Sequence, residues 1–254
     1  MFQTMREDIA CVLSRDPAAR NALEVMLCYP GYHAVRAYRR AHWLHTHGCK
    51  TWARLISAWC RFCTGVDIHP AAQIGKRLFI DHATGVVVGE TTVIGDDCTL
   101  YQGATLGGTG KETGKRHPTL GNHVTVSAGA SVLGPFSVGD HAKIGAGAVV
   151  LSEVPAYATV VGVPGHIVRM RRCPDLPCAD TSCAAMKDGI CTKADACTDC
   201  SDCKRDCPRG ASGEAGVDLD QVHLPDPVQM QISELLCRIE ALERGGKKEE
   251  TETV

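Results

Sequence analysis

Four thiolates stand at a spacing that carries chemistry. Cys197, Cys200, Cys203 and Cys207, with Pro208 behind them, form a C-x2-C-x2-C-x3-C-P run. Bacterial ferredoxins hold four-iron clusters with this spacing, the cysteine before proline serving a second cluster. Zinc also takes four thiolates, so the run selects an iron–sulfur cluster or zinc without deciding between them. Cys173, Cys178, Cys183 and Cys191 lie upstream at spacings that match no second ferredoxin run. A thiol–disulfide switch or an unligated segment is the third reading. The segment has few large apolar residues, chiefly Leu176, Met186 and Ile190, too few to fold alone, so ordering by a metal or disulfides is expected.

A second constellation is cationic. Residues 107–119 are glycine-rich, carry Lys111, Lys115 and Arg116, and end in Arg116-His117-Pro118. A guanidinium fork suits a carboxylate, and an imidazole titrates near neutral pH. His42, His45 and His47 also lie close together. Only residues three or four apart share a helix face, so His42 and His45 alone are neighbours, too few for a metal site.

The scaffold beneath these residues shows in a six-residue spacing. Leu120, Val126, Val132, Val138, Ile144 and Val150 recur every six positions. Ile68, Ile74, Ile80 and Val86 do the same, and after a two-residue slip so do Val88, Ile94, Leu100 and Leu106. Such a short period predicts a parallel β-helix, whose stacked coils bury a ladder of aliphatic side chains. Leu106 and Leu120 are fourteen apart, so about eight residues leave the coil as a loop. That loop is the cationic segment, and loops on rigid scaffolds are where function concentrates.

Composition sets the class. The chain has 254 residues, 44% of them hydrophobic, and a net charge of −2. That predicts one main domain with appendages and gives no reason to expect nucleic acid. No apolar run reaches bilayer length, and the first residues lack the basic-then-apolar order of a signal peptide, so a cytoplasmic protein without a membrane partner is expected. Cys11, Cys28, Cys49, Cys60, Cys63, Cys98 and Cys237 read as reduced apolar fillers, while the eight cysteines of 173–207 read as metal-binding or redox-active.

The organisation is α+β: a helical N-terminal domain over 1–66, a β-helix over 67–170, a cysteine-rich segment over 173–210, a linker and helix over 217–246, and a tail over 247–254. Asp16-Pro17 predicts a helix start, with Asp16 as N-cap and the helix running to about Leu27. Further helices are expected over 31–47 and 50–64, with Gly48 between them. Val228, Ile232, Leu235, Ile239 and Leu242 make an a/d stripe of about two heptads, too short to be stable alone but able to pack on a partner or about a symmetry axis.

Four motifs in order resemble the serine O-acetyltransferase family: Asp67-Ile68-His69-Pro70-Ala71-Ala72, Asp81-His82-Ala83-Thr84-Gly85, Leu106-Gly107-Gly108-Thr109-Gly110-Lys111 and Arg116-His117-Pro118. Ser14-Arg15-Asp16-Pro17-Ala18-Ala19 in the helical part adds to them. The resemblance covers about 5–170 and resumes at 217–242. It implies a left-handed parallel β-helix, acetyl transfer from acetyl-CoA to the hydroxyl of L-serine as the first step of cysteine biosynthesis, and feedback inhibition by L-cysteine. It also implies a homotrimer or dimer of trimers. The long forms carry extra N-terminal helices that join two trimers, and those helices are missing from this pattern. The family's tail often ends in Ile and enters O-acetylserine sulfhydrylase; this chain ends in Val254. The cysteine-rich segment has no counterpart in the usual pattern.

Residue by residue, the resemblance makes His82 the general base and Asp67 the carboxylate that orients it. An alcohol needs such a base at neutral pH, and the logic is that of a triad in which the substrate supplies the hydroxyl. Arg116 and His117 are implied as serine contacts, and Asp81 and Asp16 as carboxylates for the serine ammonium. Gly108, Ala128 and Ala146 are implied along the acetyl-CoA arm, with Lys143 near its phosphates; small residues let backbone approach a ligand closely. Two other enzymes share the repeat: an acetyltransferase acting on a sugar or antibiotic hydroxyl, and a β-helix carbonic anhydrase with zinc on His82, His117 and His123. An electron carrier or scaffold built on the cysteine segment would leave the catalytic set idle.

Overall fold

The computed structural model describes residues 2–110 and 113–170, together with 186–187, 190–191 and 232. Four helices lead: α1 (Phe2–Arg15), α2 (Ala22–Cys28), α3 (Pro30–Thr46) and α4 (Lys50–Thr64). None of the described helices is long and apolar enough to cross a membrane.

The helix starts differ from expectation in one place. Asp16 caps nothing; α1 ends before it, and its Oδ1 accepts from the Ala18 amide at 2.8 Å in a local turn. The cap of α2 is Asn21, whose Oδ1 accepts from the Glu24 amide at 2.9 Å, while Glu24 reaches back to the Arg20 amide at 3.1 Å. This near-reciprocal capping outcompetes the Asp-Pro start and releases Asp16 for other work. Pro30 opens α3, and Gly65 in the left-handed region closes α4 with its amide on the Arg61 carbonyl at 2.8 Å.

The β-helix follows in short strands. The first coil is β1 (Asp67–Ile68), β2 (Gln73–Ile74), β3 (Phe79–Ile80); the second is β4 (Val87–Val88), β5 (Val93–Ile94), β6 (Thr99–Leu100). The third is β7 (Thr105–Gly107), β8 (Thr119–Leu120), β9 (Thr125–Val126); the fourth is β10 (Ser131–Leu133), β11 (Ser137–Val138), β12 (Lys143–Ile144). Strand β13 (Val149–Val150) begins a last coil, and β14 (Ala158–Val161) and β15 (His166–Met170) close it. Every third strand stacks in parallel as far as β13, giving three faces: β1-β4-β7-β10-β13, β2-β5-β8-β11, and β3-β6-β9-β12, the last extended by β14 in parallel on β12 and by β15 antiparallel at the end.

The register explains the six-residue period. Ile68 pairs with Val88, Val88 with Leu106, Leu106 with Val132, and Val132 with Val150, each pointing inward and nearly solvent-free. Burial of each such side chain stabilises the fold by roughly 1.5–3 kcal/mol. The two-residue slip falls at 81–86, between β3 and β4, and the extruded loop between β7 and β8.

Three edges join the faces. The first, between faces one and two, carries 69–72, 89–92 and the loop 107–118. The second carries 75–78, 95–98, 121–124, 139–142 and 155–157. The third carries 81–86, 101–104, 127–130 and 145–148. Among the scattered cysteines, Cys11 and Cys98 are buried as expected, but Cys28, Cys49 and Cys63 are exposed and fill nothing.

The cysteine run at Cys197, Cys200, Cys203 and Cys207 lies outside the described residues. So do the tail and, apart from Ile232, the a/d stripe. A two-residue antiparallel pairing of Met186–Lys187 with Ile190–Cys191 is all that is described within 173–210.

Candidate active site

His82 occupies the slip. The two added residues throw His82 and Ala83 into the left-handed region (φ 54° and 52°), while Ala83 stays buried. The imidazole therefore stands out from the third edge, with its side chain 71% exposed. Asp81 accepts the His82 amide on Oδ1 at 2.9 Å and sets Oδ2 3.9 Å from His82 Nε2. Burial is the largest influence on Asp81 and raises its pKa against the pull of His82; the nearby Asp16 raises it further.

Asp16 reaches this corner from the helical domain. Next to it, Arg15 clamps the β-helix: Nη1 donates to the Cys98 carbonyl at 3.1 Å and to Thr99 Oγ1 at 3.0 Å, and Nη2 to Asp97 at 3.1 Å. Tyr29 donates its hydroxyl to Asp16 Oδ2 at 2.6 Å. Gly31 makes that approach possible, because a Cβ there would lie 2.0 Å from the Ile80 carbonyl oxygen. Burial and the carboxylates of Asp16, Glu24 and Asp81 push the Tyr29 phenol well above its usual range, and Tyr101 is raised by burial and by Asp81 and Asp16. Two carboxylates, two phenols and one imidazole thus share a corner, a setting suited to an ammonium group beside a base.

Asp67 lies beside this corner through the backbone: its amide donates to the Val86 carbonyl at 2.8 Å, and the Gly85 amide to the Gly65 carbonyl at 2.9 Å. Its carboxylate, however, accepts from Arg61 Nη1 at 3.3 Å. Asp81 is the carboxylate that reaches within 4 Å of the His82 ring.

Arg116 and His117 are elsewhere. They return the extruded loop to the first edge, where Arg116 pairs with Glu90 and holds the Glu90 carboxyl below its usual range. His117 is 9% exposed. Burial, then Arg116, lowers its pKa. Gly108 sits in the same loop, and a Cβ on it would lie 2.9 Å from the Arg116 carbonyl oxygen. Ala128 and Ala146 are on the third edge, half-buried and exposed, and Lys143 is half-buried in β12 on face three. Of the residues that the resemblance implicates, His82, Asp81, Ala128 and Ala146 therefore fall on the third edge, and Arg116, His117 and Gly108 on the first. The three histidines of the carbonic anhydrase reading fall on three edges: His117 on the first, His123 on the second and His82 on the third.

Sequence reading missed Tyr29, Glu90 and Thr91. No local motif marks them, because each gains its role from a partner at least thirteen residues away. His42, His45 and His47 gather no metal site; His42 Nδ1 meets the Pro70 carbonyl at 2.8 Å and His47 Nδ1 the Trp43 carbonyl at 2.7 Å. Among the described residues no group of three or more His, Cys, Asp or Glu could hold a metal ion.

The chain matches two family models: "Serine acetyltransferase, N-terminal" over residues 1–37 and "Bacterial transferase hexapeptide (six repeats)" over 117–152. A serine acetyltransferase of Staphylococcus aureus is 44% identical over 245 residues, covering 96% of each chain. The chain belongs to the serine acetyltransferase family. It is an acyltransferase with the hexapeptide fold, as the resemblance implied. Solved relatives share the fold at TM-scores of 0.63–0.66. They include a Brucella abortus serine acetyltransferase in complex with coenzyme A (45% identity, covering 68% of this chain and 69% of that one; TM-score 0.66). A Neisseria gonorrhoeae enzyme is in complex with serine (44%, 66% and 69%; 0.64), and a serine acetyltransferase is in complex with cysteine (46%, 67% and 66%; 0.66).

Proposed function

We propose that this serine acetyltransferase works at a composite site, with the third edge of one copy facing the first edge of the next in a homotrimer. The supporting observation is the separation just described: His82, Asp81 and Asp16 stand on one edge, Arg116 and His117 on another. A free serine spans only a few ångströms, so one copy does not offer both sets to it. A ring of three copies pairs the edges and closes.

In the composite site Asp16 and Asp81 receive the serine ammonium, and Arg116 and His117 its carboxylate. His82 takes the proton from the serine hydroxyl as the oxygen attacks the acetyl carbonyl carbon. The tetrahedral intermediate then expels the CoA sulfur, which receives that proton from His82. No acyl-enzyme forms. Asp81, and Asp67 once released from Arg61, stabilise the imidazolium while it exists.

Acetyl-CoA has a long thin arm, and the third edge offers a matching track. Gly85, Gly103, Gly129 and Gly147 repeat there with φ between 67° and 78°, and a Cβ at Gly129 or Gly147 would meet nothing within 4 Å. Ala128 and Ala146 keep the track low, with Gly108 of the facing loop opposite and Lys143 toward the phosphates. L-cysteine shares the ammonium and carboxylate of serine, so it competes for the same groups as a feedback inhibitor in a reduced, cytoplasmic setting. A dimer of trimers, docking of the Val254 tail on O-acetylserine sulfhydrylase, and an iron–sulfur cluster or zinc on Cys197, Cys200, Cys203 and Cys207 rest on the sequence alone. Sedimentation, pull-down, and metal and acid-labile sulfide per chain test them.

Mixing two inactive variants tests the core of the reading. His82→Ala and Arg116→Ala, unfolded and refolded together, form mixed trimers in which some sites carry an intact His82 opposite an intact Arg116. CoA release with serine well above that of either variant is the expected result. No recovery in verified mixed trimers overturns the composite site. Release with a sugar but not with serine overturns the acceptor.

A further inference from the structure

Thr91, on the first edge between β4 and β5, ties up the base of the extruded loop. Its Oγ1 lies 3.0 Å from the Arg116 amide and 3.1 Å from the His117 amide, and both donate to it. The same oxygen lies 2.9 Å from His117 Nδ1, and the Thr91 amide donates to that nitrogen at 3.2 Å. Lys115 Nζ adds a bond to the Thr91 carbonyl at 2.8 Å.

The proton positions follow from donor and acceptor capacity. A hydroxyl has one proton and two lone pairs. Two amides use the lone pairs, so the hydroxyl proton goes to His117 Nδ1. A backbone amide can only donate, so Nδ1 accepts there too. Nδ1 therefore carries no proton, and the neutral ring carries its proton on Nε2. Among the described residues Nε2 makes no hydrogen bond, which leaves that proton for a ligand. Gly89 makes room for this end of the ring, since a Cβ there would lie 2.0 Å from Cδ2 and 2.1 Å from Nε2.

We propose that Thr91 is a positioning residue that fixes His117 as the Nε2–H tautomer, so that His117 serves the reaction as a neutral hydrogen-bond donor to the acceptor's carboxylate and not as a second base. The carboxylate as recipient rests on the function proposed above; the tautomer does not. Protonating Nδ1 would set an N–H against the Thr91 amide, so the clasp opposes the imidazolium. Burial and the neighbouring Arg116 act in the same direction.

The test uses the full-length protein labelled with 15N-histidine, with His117→Asn to assign the resonance. The expected wild-type spectrum shows a pyridine-type Nδ1 and a pyrrole-type Nε2 for His117, with titration below the ordinary histidine range. Thr91→Val deletes the hydroxyl; it should mix the tautomers, raise the His117 pKa and lower kcat/KM for serine roughly tenfold to a hundredfold, with KM for acetyl-CoA little changed. Thr91→Ser should restore tautomer and kinetics. A protonated Nδ1 in the wild-type protein, or an unchanged tautomer in folded Thr91→Val, overturns the proposal. If Thr91→Val does not fold, the wild-type and Thr91→Ser spectra still decide it. A shifted tautomer with unchanged serine kinetics upholds the clasp and sinks His117 as a serine contact.

Discussion

The second and third edges of the β-helix turn the chain through the same left-handed backbone conformation with opposite choices of side chain. On the third edge the repeating position is glycine: Gly85, Gly103, Gly129 and Gly147. On the second it is Arg77, Asp97, His123, His141 and Tyr157, all with φ between 54° and 62°. A residue with a Cβ loses roughly 1–2 kcal/mol in that conformation. The second edge offsets this by stacking. Arg77 pairs with Asp97 at 2.6 Å, His123 stacks on His141 with ring centroids 4.6 Å apart, and His141 on Tyr157 at 4.8 Å. A second ladder runs beside it, in which Asp96, Asn122 and Asp140 side chains accept amides of the preceding coil. The third edge departs from its glycine repeat at the slip, where His82 and Ala83 take the same conformation and His82 stands outward. One edge is lined by stacked side chains, while the other repeats glycine where the acetyl-CoA track is proposed to run.

The largest break in that contrast is His82→Ala. With His82 as the proposed base, kcat should fall by about 10²–10⁴-fold with the thermal midpoint nearly unchanged, measured by CoA release and calorimetry. Leu106→Ala strikes the ladder that both edges share and should cost about 2–5 kcal/mol in denaturant unfolding, because the coils above and below cannot close on the gap. Gly129→Leu starts from a Cβ that meets nothing within 4 Å and extends onto the proposed track, at the cost of about 1–2 kcal/mol for a side chain in the left-handed region. It should raise KM for acetyl-CoA about tenfold or more while KM for serine stays within about twofold; equal effects on both would remove the track.

The second edge supplies the smallest effect. Burial, then His123, lowers the His141 pKa, so the folded state favours the neutral ring. That preference stabilises the protein above the ordinary histidine pKa and is lost as the pH falls through the lower folded value. His141→Asn should therefore flatten the decline of the thermal midpoint on acidification and leave kcat at neutral pH unchanged. A matching loss of activity would mean that the second edge also faces substrate.

The helical half shows how partial the sequence signal was. Helices α3 and α4 fall within a few residues of expectation, since Pro30, Gly48 and Gly65 punctuate them. Asp16-Pro17 reads as a helix start by every local rule, yet Asn21 and Glu24 win the cap, and Tyr29 holds Asp16 beside Asp81. Asp67 is another case: the motif supplies the carboxylate, but Arg61, one turn back along α4, takes it in the isolated chain.

The sequence by itself determined the coil, the slip and the loop, because a six-residue aliphatic period has one way to bury itself and any departure must leave the ladder. Only the tertiary structure decided which edge each departure lands on. An edge is a consequence of how many strands precede it; the partners that orient Arg116 and His117 come from another coil, and that of Asp16 from the turn between α2 and α3. Thr91 is invisible as a motif for the same reason: one hydroxyl becomes a clasp only when folding brings two amides and an imidazole nitrogen within hydrogen-bond reach of it.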